Sequence, residues 1–541
     1  MAFARVACRA QVGLNAPLVH VEVSLASGLP TFSIVGLPAM VVREAKERVR
    51  AALLNSQFEF PAGRITVNLA PADLPKEGGR FDLPIALGVL LASGQVRLTA
   101  SSARTAPREF YGELGLTGEL KAVRGLLPAA AQARRAGHEL IVPRANAAEA
   151  CAVAPQLVRA AGHLLEVCAH VAGTRPLPAG AAAAGARRQP ARTCSAPLDL
   201  ADVRGQLHAK RALVVAAAGG HSLLMIGPPG CGKSMLAQRL PGLLPPLSAA
   251  EALEVAAIAS VSAAGFRQES LTERPFRAPH HSSSAPALVG GGARARPGEI
   301  SLAHRGVLFL DELAEFARPV LEALREPLET GVIQVARAAL QTQYPAEFQL
   351  IAAMNPCPCG NRGDPARSCR CTPAVVRRYH ARLSGPLLDR LDLQVEVPRL
   401  AGAEFDAPPG EAIDSAMGAQ LAGQARALQL ARAGLCNARL DEAQVGRWCV
   451  PDAAGRRVLE TAMRRLKLSG RALARAEGGT HDRRSRGAPR DRGGAGGGSG
   501  DAALPRSGSA GRLITAPSAP CDRRPASPGR RAGRCGRPSV A

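Results

Sequence analysis

Aromatic side chains are scarce in this sequence. They make up 3% of 541 residues, with one Trp and three Tyr. The cores must therefore close on aliphatic side chains, and a ladder of stacked bases is not an expected mode of gripping single-stranded nucleic acid. No stretch of roughly 18 apolar residues runs free of charge or Gly/Pro breaks, so no membrane span is expected. The opening MAFARVACRAQVGLNAPL holds no continuous apolar segment of the kind found in a secretory signal. Thirteen cysteines, an odd number, do not suggest a disulfide framework. Reduced thiols in the cytoplasm are the expectation, with any cysteine cluster pointing to metal. With 46% hydrophobic residues, the composition excludes a collagen, a small disulfide scaffold and a chain without a core.

Positive charge is abundant. Lys and Arg number 68 against 44 acids, a formal net charge of +24. Such a balance suits a polyanionic partner, nucleic acid first. Residues 476–541 carry 13 Arg, no Lys and 5 acids, a net of +8, which leaves +16 for residues 1–475. The length suggests about three to five domains.

Residues 1–172 read as alternating strands and helices: LVHVEVSLASG and RITVNLAP as strands, VVREAKERVRAALLNS and FDLPIALGVLLASG as helices, REFYGELGLTGELKAV as a hairpin. Residues 173–196, rich in Pro, Ala, Gly and Arg, read as a linker. Residues 197–400 alternate strand, Gly-rich loop and helix, the pattern of an α/β domain on a parallel sheet. Residues 401–475 read as mostly helical. Beyond Arg475 apolar periodicity ends. Residues 476–541 read as a disordered basic low-complexity tail, or as translation of a shifted frame. RAEGGTHDRRSRG can be back-translated so that the frame one base later gives VLRVARTIADLAG, an amphipathic string; the coding DNA across codons 465–541 decides between the two.

The most specific motif is G-x-x-x-x-G-K-S in HSLLMIGPPGCGKSMLAQRL. It follows an apolar strand, Leu223 to Ile226, and opens a helical pattern. Gly227, Pro228, Pro229, Gly230, Cys231, Gly232, Lys233 and Ser234 form the phosphate loop of this reading. The glycines let backbone N–H groups turn inward around phosphates, at the start of a helix. Lys233 neutralises the β and γ phosphates of ATP, and Ser234 ligates Mg2+. Cys231 occupies a spacer position. A second motif, GVLFLDELAEF, ends a buried strand on Asp311, which can hold Mg2+, and Glu312, which can activate water as general base. A third strand, FQLIAAMNP, ends on Asn355, whose amide can orient the water. Cys357, Cys359, Cys369 and Cys371 form C-x-C-x9-C-x-C, a candidate structural Zn2+ site.

GPPGCGKS, RPFRAPHHSSS, GGGARARPGEISLAHRGVLFLDEL, LEALREPLETG, YPAEFQLIAAMNPCPCG and SGPLLDRLDLQVEVP resemble the magnesium-chelatase-like AAA+ ATPases, and within them the ComM/YifB family. The likeness covers about residues 4–475. IVGLPAMVVREAKERVRAAL, RITVNLAPADLPKEGGRFDLPIALG and GELGLTGELKAVRG resemble that family's ribosomal S5/Lon-protease-like α+β domain. The resemblance implies an AAA+ α/β domain, a partial helical lid truncated after Arg471, and assembly into a ring, a hexamer, that binds ATP between subunits. It implies a branch-migration helicase acting on single-stranded or branched DNA in natural transformation. It also implies that Asn355 is sensor 1, Arg390 in PLLDRLD the arginine finger, and Arg471 in KLSGR the sensor 2 arginine.

The Lon-like stretch KEGGRFDLPIA has no Ser to pair with Lys76, so a protease is not expected. Arg64, Lys76 and Arg80 could instead meet phosphates. Two segments are candidates for the ring pore: residues 276–300, with Arg277, His280, His281, Arg294 and Arg296, and the hairpin 332–348, with Arg337 at its turn. Adjacent histidines on a strand would face opposite sides, which argues against one metal taking both His280 and His281. Two further readings remain, a magnesium-chelatase motor subunit and a truncated, inactive ATP-binding relative.

Overall fold

The computed structural model describes residues 2–97, 107–185, 198–292, 295–337, 340–400 and 413–449, together with Ala453 and Arg457. Two sheets organise the described chain.

The first sheet uses β1 (Ala2–Arg9), β2 (Leu18–Ala26), β3 (Thr31–Val35), β4 (Arg64–Ala70) and β5 (Arg108–Phe110). A small ribbon of β6 (Glu113–Leu114) and β7 (Leu120–Lys121) follows, then β8 (Glu139–Pro143) and β9 (Val158–Ala161). Seven strands run in the order β3-β4-β2-β1-β5-β8-β9, antiparallel around β1, β2 and β4 and parallel from β5 to β9. Period-two burial on β2, where Val19, Val21 and Val23 are fully buried, sets which face meets the helices. Helix Asp82–Ala92, apolar on every side, is buried along nearly its whole length. Gly88 lets it lie on β2: a Cβ there would come 2.5 Å from Val23.

The second sheet is formed by β10 (Leu223–Ile226), β11 (Phe276–Arg277), β14 (Val307–Leu310), β17 (Gln349–Met354) and β18 (Leu393–Glu396). The ribbon β12 (Gly290–Gly291) with β13 (Arg296–Pro297) and the hairpin β15 (Val332–Arg337) with β16 (Leu340–Pro345) lie between those strands in sequence. The order β11-β14-β17-β10-β18 is parallel throughout. β14 and β17 are buried from end to end, as strands covered on both faces must be. β10, first in sequence, lies between β17 and β18, so the chain reverses its direction of travel across the sheet there. The carboxyl ends of strands at such a point are where an open α/β sheet leaves a crevice.

Helix Ala249–Val261 joins the two halves. Ala256 sits in the core of the first sheet. Ser260 accepts the Gly125 N–H at 3.0 Å through its carbonyl and donates its hydroxyl to Glu149 at 2.5 Å. Burial raises the Glu149 carboxyl above the usual carboxylate range, against the bonds from Ser260, Asn146 and Leu127. At a second contact Thr342 of the hairpin lies against Gly13, where a Cβ would come 2.1 Å from its methyl.

The structure corrects three expectations. Part of the stretch read as linker is packed: Leu177 is buried and Gly180 abuts Val158 and Cys151, while 186–197 lie outside the described residues. Lys76 and Arg80 cannot reach a phosphate. Both are buried, Lys76 donating to the Pro71 carbonyl, and Arg80 to Gln11 at 2.8 Å and to the Arg124 carbonyl. Of that trio only Arg64 is exposed. His280 and His281 lie on a loop, with ring centroids 4.1 Å apart, so the strand-alternation argument against a shared metal does not apply to them.

In the segment read as a lid, helix Ser415–Ala433 packs on helix Leu207–Gly219, with Gly418 set against Leu243 and Val214. A short helix, Glu442–Trp448, follows. The remaining lid positions, Arg471 included, and the tail 476–541 lie outside the described residues.

Candidate functional site

Three adjacent strands place the site. Ile226 pairs in register with Met354, and Leu310 with Ala352, so β10, β17 and β14 all end at one edge of the sheet. The phosphate loop leaves β10, Asp311 and Glu312 leave β14, and Asn355 leaves β17.

The loop is shaped by its glycines. Gly230 and Gly232 have φ of 78° and 93°, the left-handed region where a Cβ is penalised. Gly227 passes the Val397 carbonyl so closely that a Cβ would come 2.1 Å from its oxygen. Helix Lys233–Arg239 follows at once. The Lys233 ammonium is buried and donates to the carbonyls of Gly227 (2.7 Å) and Pro228 (2.9 Å) and to Asn355 Oδ1 (3.3 Å). The Ser234 hydroxyl donates to Asp311 Oδ2 at 2.6 Å. Serine and carboxylate oxygens thus converge beside an ammonium, a hard-donor set that fits Mg2+ next to a phosphate. The Cys231 thiol, 3.8 Å from the Lys233 ammonium, is nevertheless pushed up by burial. That leaves it a poor nucleophile.

Glu312 stands in a left-handed conformation, φ 52° and ψ 47°. Its N–H donates to Asp311 Oδ1 at 2.9 Å, and its carboxylate meets His281 Nδ1 at 3.1 Å. Arg390 sits elsewhere. Its guanidinium donates to the Pro386 carbonyl at 2.8 Å and to Glu329 at 2.5 Å, and to none of the phosphate-loop residues of its own chain. Arg277 is already neutralised by Glu299, with bonds of 2.6 and 2.7 Å, so it is not the free pore cation that the segment suggests. The Arg337 side chain and Arg294 lie outside the described residues.

The four cysteines converge. All four sulfurs lie within 4.8 Å of one another, and the three pairs among Cys357, Cys359 and Cys369 are 3.4, 3.7 and 3.6 Å apart. A tetrahedron of ~2.3 Å Zn–S bonds would set its sulfurs about 3.8 Å apart, so the group fits a zinc-sized ion. The Cys359 thiol is drawn down to about 6 by the backbone N–H groups of Asn361 and Arg370, with help from Cys357. Gly360 of this loop rests on Pro229 of the phosphate loop, where a Cβ would come 2.6 Å from the ring. Cys8 and Cys168 differ: burial pushes both thiols up to about 12, as expected of packing residues.

The sequence reading missed three relationships: His281 with Glu312, Glu329 with Arg390, and Gly360 with Pro229. Each joins segments whose proximity depends on strand order, and no local pattern signals it.

Comparison with known proteins agrees with this architecture. Residues 199–405 match the family described as magnesium chelatase, subunit ChlI. Residues 21–146 match subunit ChlI of Mg-chelatase, and 413–477 its C-terminal region. The chain is 49% identical over 477 residues to competence protein ComM of Haemophilus influenzae, covering 88% of this chain and 92% of that protein. It is 47% identical over 479 residues to the uncharacterized protein YifB of Escherichia coli, again with 88% and 92% covered. A magnesium-chelatase 38 kDa subunit of Cereibacter sphaeroides is 28% identical over 218 residues, 37% of this chain and 59% of that subunit. With a parallel-sheet phosphate-loop fold and near-half identity over most of its length, this chain belongs to the magnesium-chelatase-like ComM/YifB family of AAA+ proteins.

Proposed function

We propose that the protein is an ATP-hydrolysing motor that moves on DNA, a branch-migration helicase of the ComM type working as a ring, a hexamer, in recombination during natural transformation. One observation carries the ATPase part: Lys233 bonds Asn355 while Ser234 bonds Asp311, so residues from three strand ends form one phosphate-and-cation site. Lys233 exchanges its carbonyl partners for phosphate oxygens. Ser234 and Asp311 hold Mg2+, which when bound neutralises charge on the phosphates. Glu312 takes the proton of the attacking water, and Asn355 orients that water. Arg390, engaged away from its own phosphate loop, serves the site of a neighbouring subunit. The basic balance of the first 475 residues and the hairpin Val332–Pro345 supply the DNA contacts, which are electrostatic and largely blind to sequence.

The test is ATP turnover of the full chain with and without DNA. Stimulation by branched or single-stranded DNA is expected, with a response that falls steeply as salt rises. Hydrolysis indifferent to any DNA overturns the DNA reading, and no hydrolysis by soluble protein overturns the ATPase. The chelatase alternative is less favoured, because the likeness to a chelatase subunit covers 37% of the chain and that to ComM 88%.

Cys357, Cys359, Cys369 and Cys371 form a structural zinc knuckle in the same reading, bracing the phosphate loop through Gly360 and Pro229. Elemental analysis is expected to find about one zinc per chain, and Cys357→Ser with Cys369→Ser to remove it, since four thiolates close a tetrahedral site. Folded protein of that purity without stoichiometric zinc refutes the knuckle.

A further inference from the structure

The reading above leaves one polar contact at the site without a role. Glu312 is the proposed base, yet the side chain that holds its carboxylate belongs to neither the phosphate loop nor the sensor strand. His281 Nδ1 lies 3.1 Å from Glu312 Oε2. A carboxylate only accepts, so Nδ1 carries the hydrogen in this pair.

The fold builds this contact. β11 is the edge strand beside β14, with Phe276 opposite Val307 and Arg277 opposite Leu308. Chain leaving β11 and chain leaving β14 therefore emerge from the same end of the sheet. The left-handed backbone at Glu312, costing about 1–2 kcal/mol for a residue with a Cβ, sets the direction in which its side chain departs. The segment bearing His281 is pinned at its base by Arg277 and Glu299. Beyond that pin it carries His280, exposed and stacked on His281, then helix Ala285–Val289 and the ribbon β12–β13. Both members of the pair are open to water, His281 at 37% and Glu312 at 51% side-chain exposure. A bond so placed can be exchanged for water when the segment shifts.

We propose that His281 is a positioning residue that restrains Glu312, holding one carboxylate oxygen away from the attacking water until a polyanion engages residues 278–298 and draws His281 off. A hydrogen bond to a base lowers its readiness to accept a proton, and fixes its rotamer besides. The contact thereby links the segment read as a pore element to the step that cleaves ATP. This inference rests on Glu312 being the general base.

The experiment compares full-length wild type, His281→Ala, His281→Asn and Glu312→Gln. It measures binding of a fluorescent ATP analogue, and ATP turnover without and with branched DNA. His281→Ala is expected to bind the analogue as wild type does and to hydrolyse ATP without DNA about fivefold faster, the change that one hydrogen bond of ~1 kcal/mol makes. Its stimulation by DNA falls towards unity. His281→Asn, which offers a donor near the Nδ1 position, restores the low DNA-free rate. An unchanged DNA-free rate in His281→Ala overturns the proposal, and so does a lower rate with nucleotide binding intact. The underlying reading fails separately, if Glu312→Gln turns over ATP at the wild-type rate. The DNA-free rate is read whether or not DNA stimulates the wild type, so the restraint is tested independently of the partner.

Discussion

Glu312→Gln protein binds ATP and does not turn it over. Glutamine keeps the size and shape of the side chain but cannot accept the proton of the attacking water, and a positioned general base contributes about 10²–10⁴-fold. Turnover is expected to fall by about that factor, while affinity for a fluorescent ATP analogue stays within about threefold, because the phosphate contacts made by Lys233 and Ser234 are untouched. Lys233→Ala behaves differently. Its ammonium is buried at the centre of the loop, so removing it costs nucleotide affinity together with turnover. The contrast separates chemistry from binding: equal loss of binding in both variants would mean that Glu312 holds the loop together rather than activating water.

Arg390→Ala is expected to lose turnover by about 10³-fold or more, the scale of an arginine supplied in trans to a phosphoryl transfer. The decisive measurement is a mixture. Arg390→Ala subunits carry an intact phosphate loop, and Lys233→Ala subunits carry an intact arginine. Mixed rings should therefore regain activity at interfaces where the two kinds complement each other. No recovery from a mixture that demonstrably co-assembles would place Arg390 within its own chain. The single-chain geometry favours complementation, since Arg390 is bound to Pro386 and Glu329, away from Lys233 and Ser234. Glu329 then sets a threshold, because a phosphate arriving from a neighbour must compete with a carboxylate 2.5 Å from the guanidinium.

How far the site could be read from sequence follows from how local each part is. The phosphate loop is contiguous, and its turn depends on glycine dihedrals that need no partner. Asp311 and Asn355 are also legible, because each ends an apolar run and parallel strands of one sheet align their carboxyl ends. The availability of charge was far less legible. Lys76, Arg80 and Arg277 looked like phosphate ligands, but the first two are buried against carbonyls and the third is paired with Glu299. In a chain this rich in Arg, a basic residue by itself says little about a polyanion site. The packed stretch around Leu177 and Gly180 went unseen for a similar reason: Pro- and Ala-rich composition suggests a linker, whereas the cavity beside Val158 that these residues fill exists only in the fold.

Sequence alone determined the phosphate loop, the three strand-end residues around it, the four-cysteine spacing and the aliphatic character of both cores. These depend on local backbone preference and on periodicity, which neighbouring residues carry. The tertiary structure decided which cations stay free, that four sulfurs meet within 4.8 Å, that Gly360 rests on Pro229, and that His281 holds the carboxylate of Glu312. Those contacts arise because β11, β14, β17 and β10 are neighbours in an order different from their order along the chain, and only the folded sheet imposes that order.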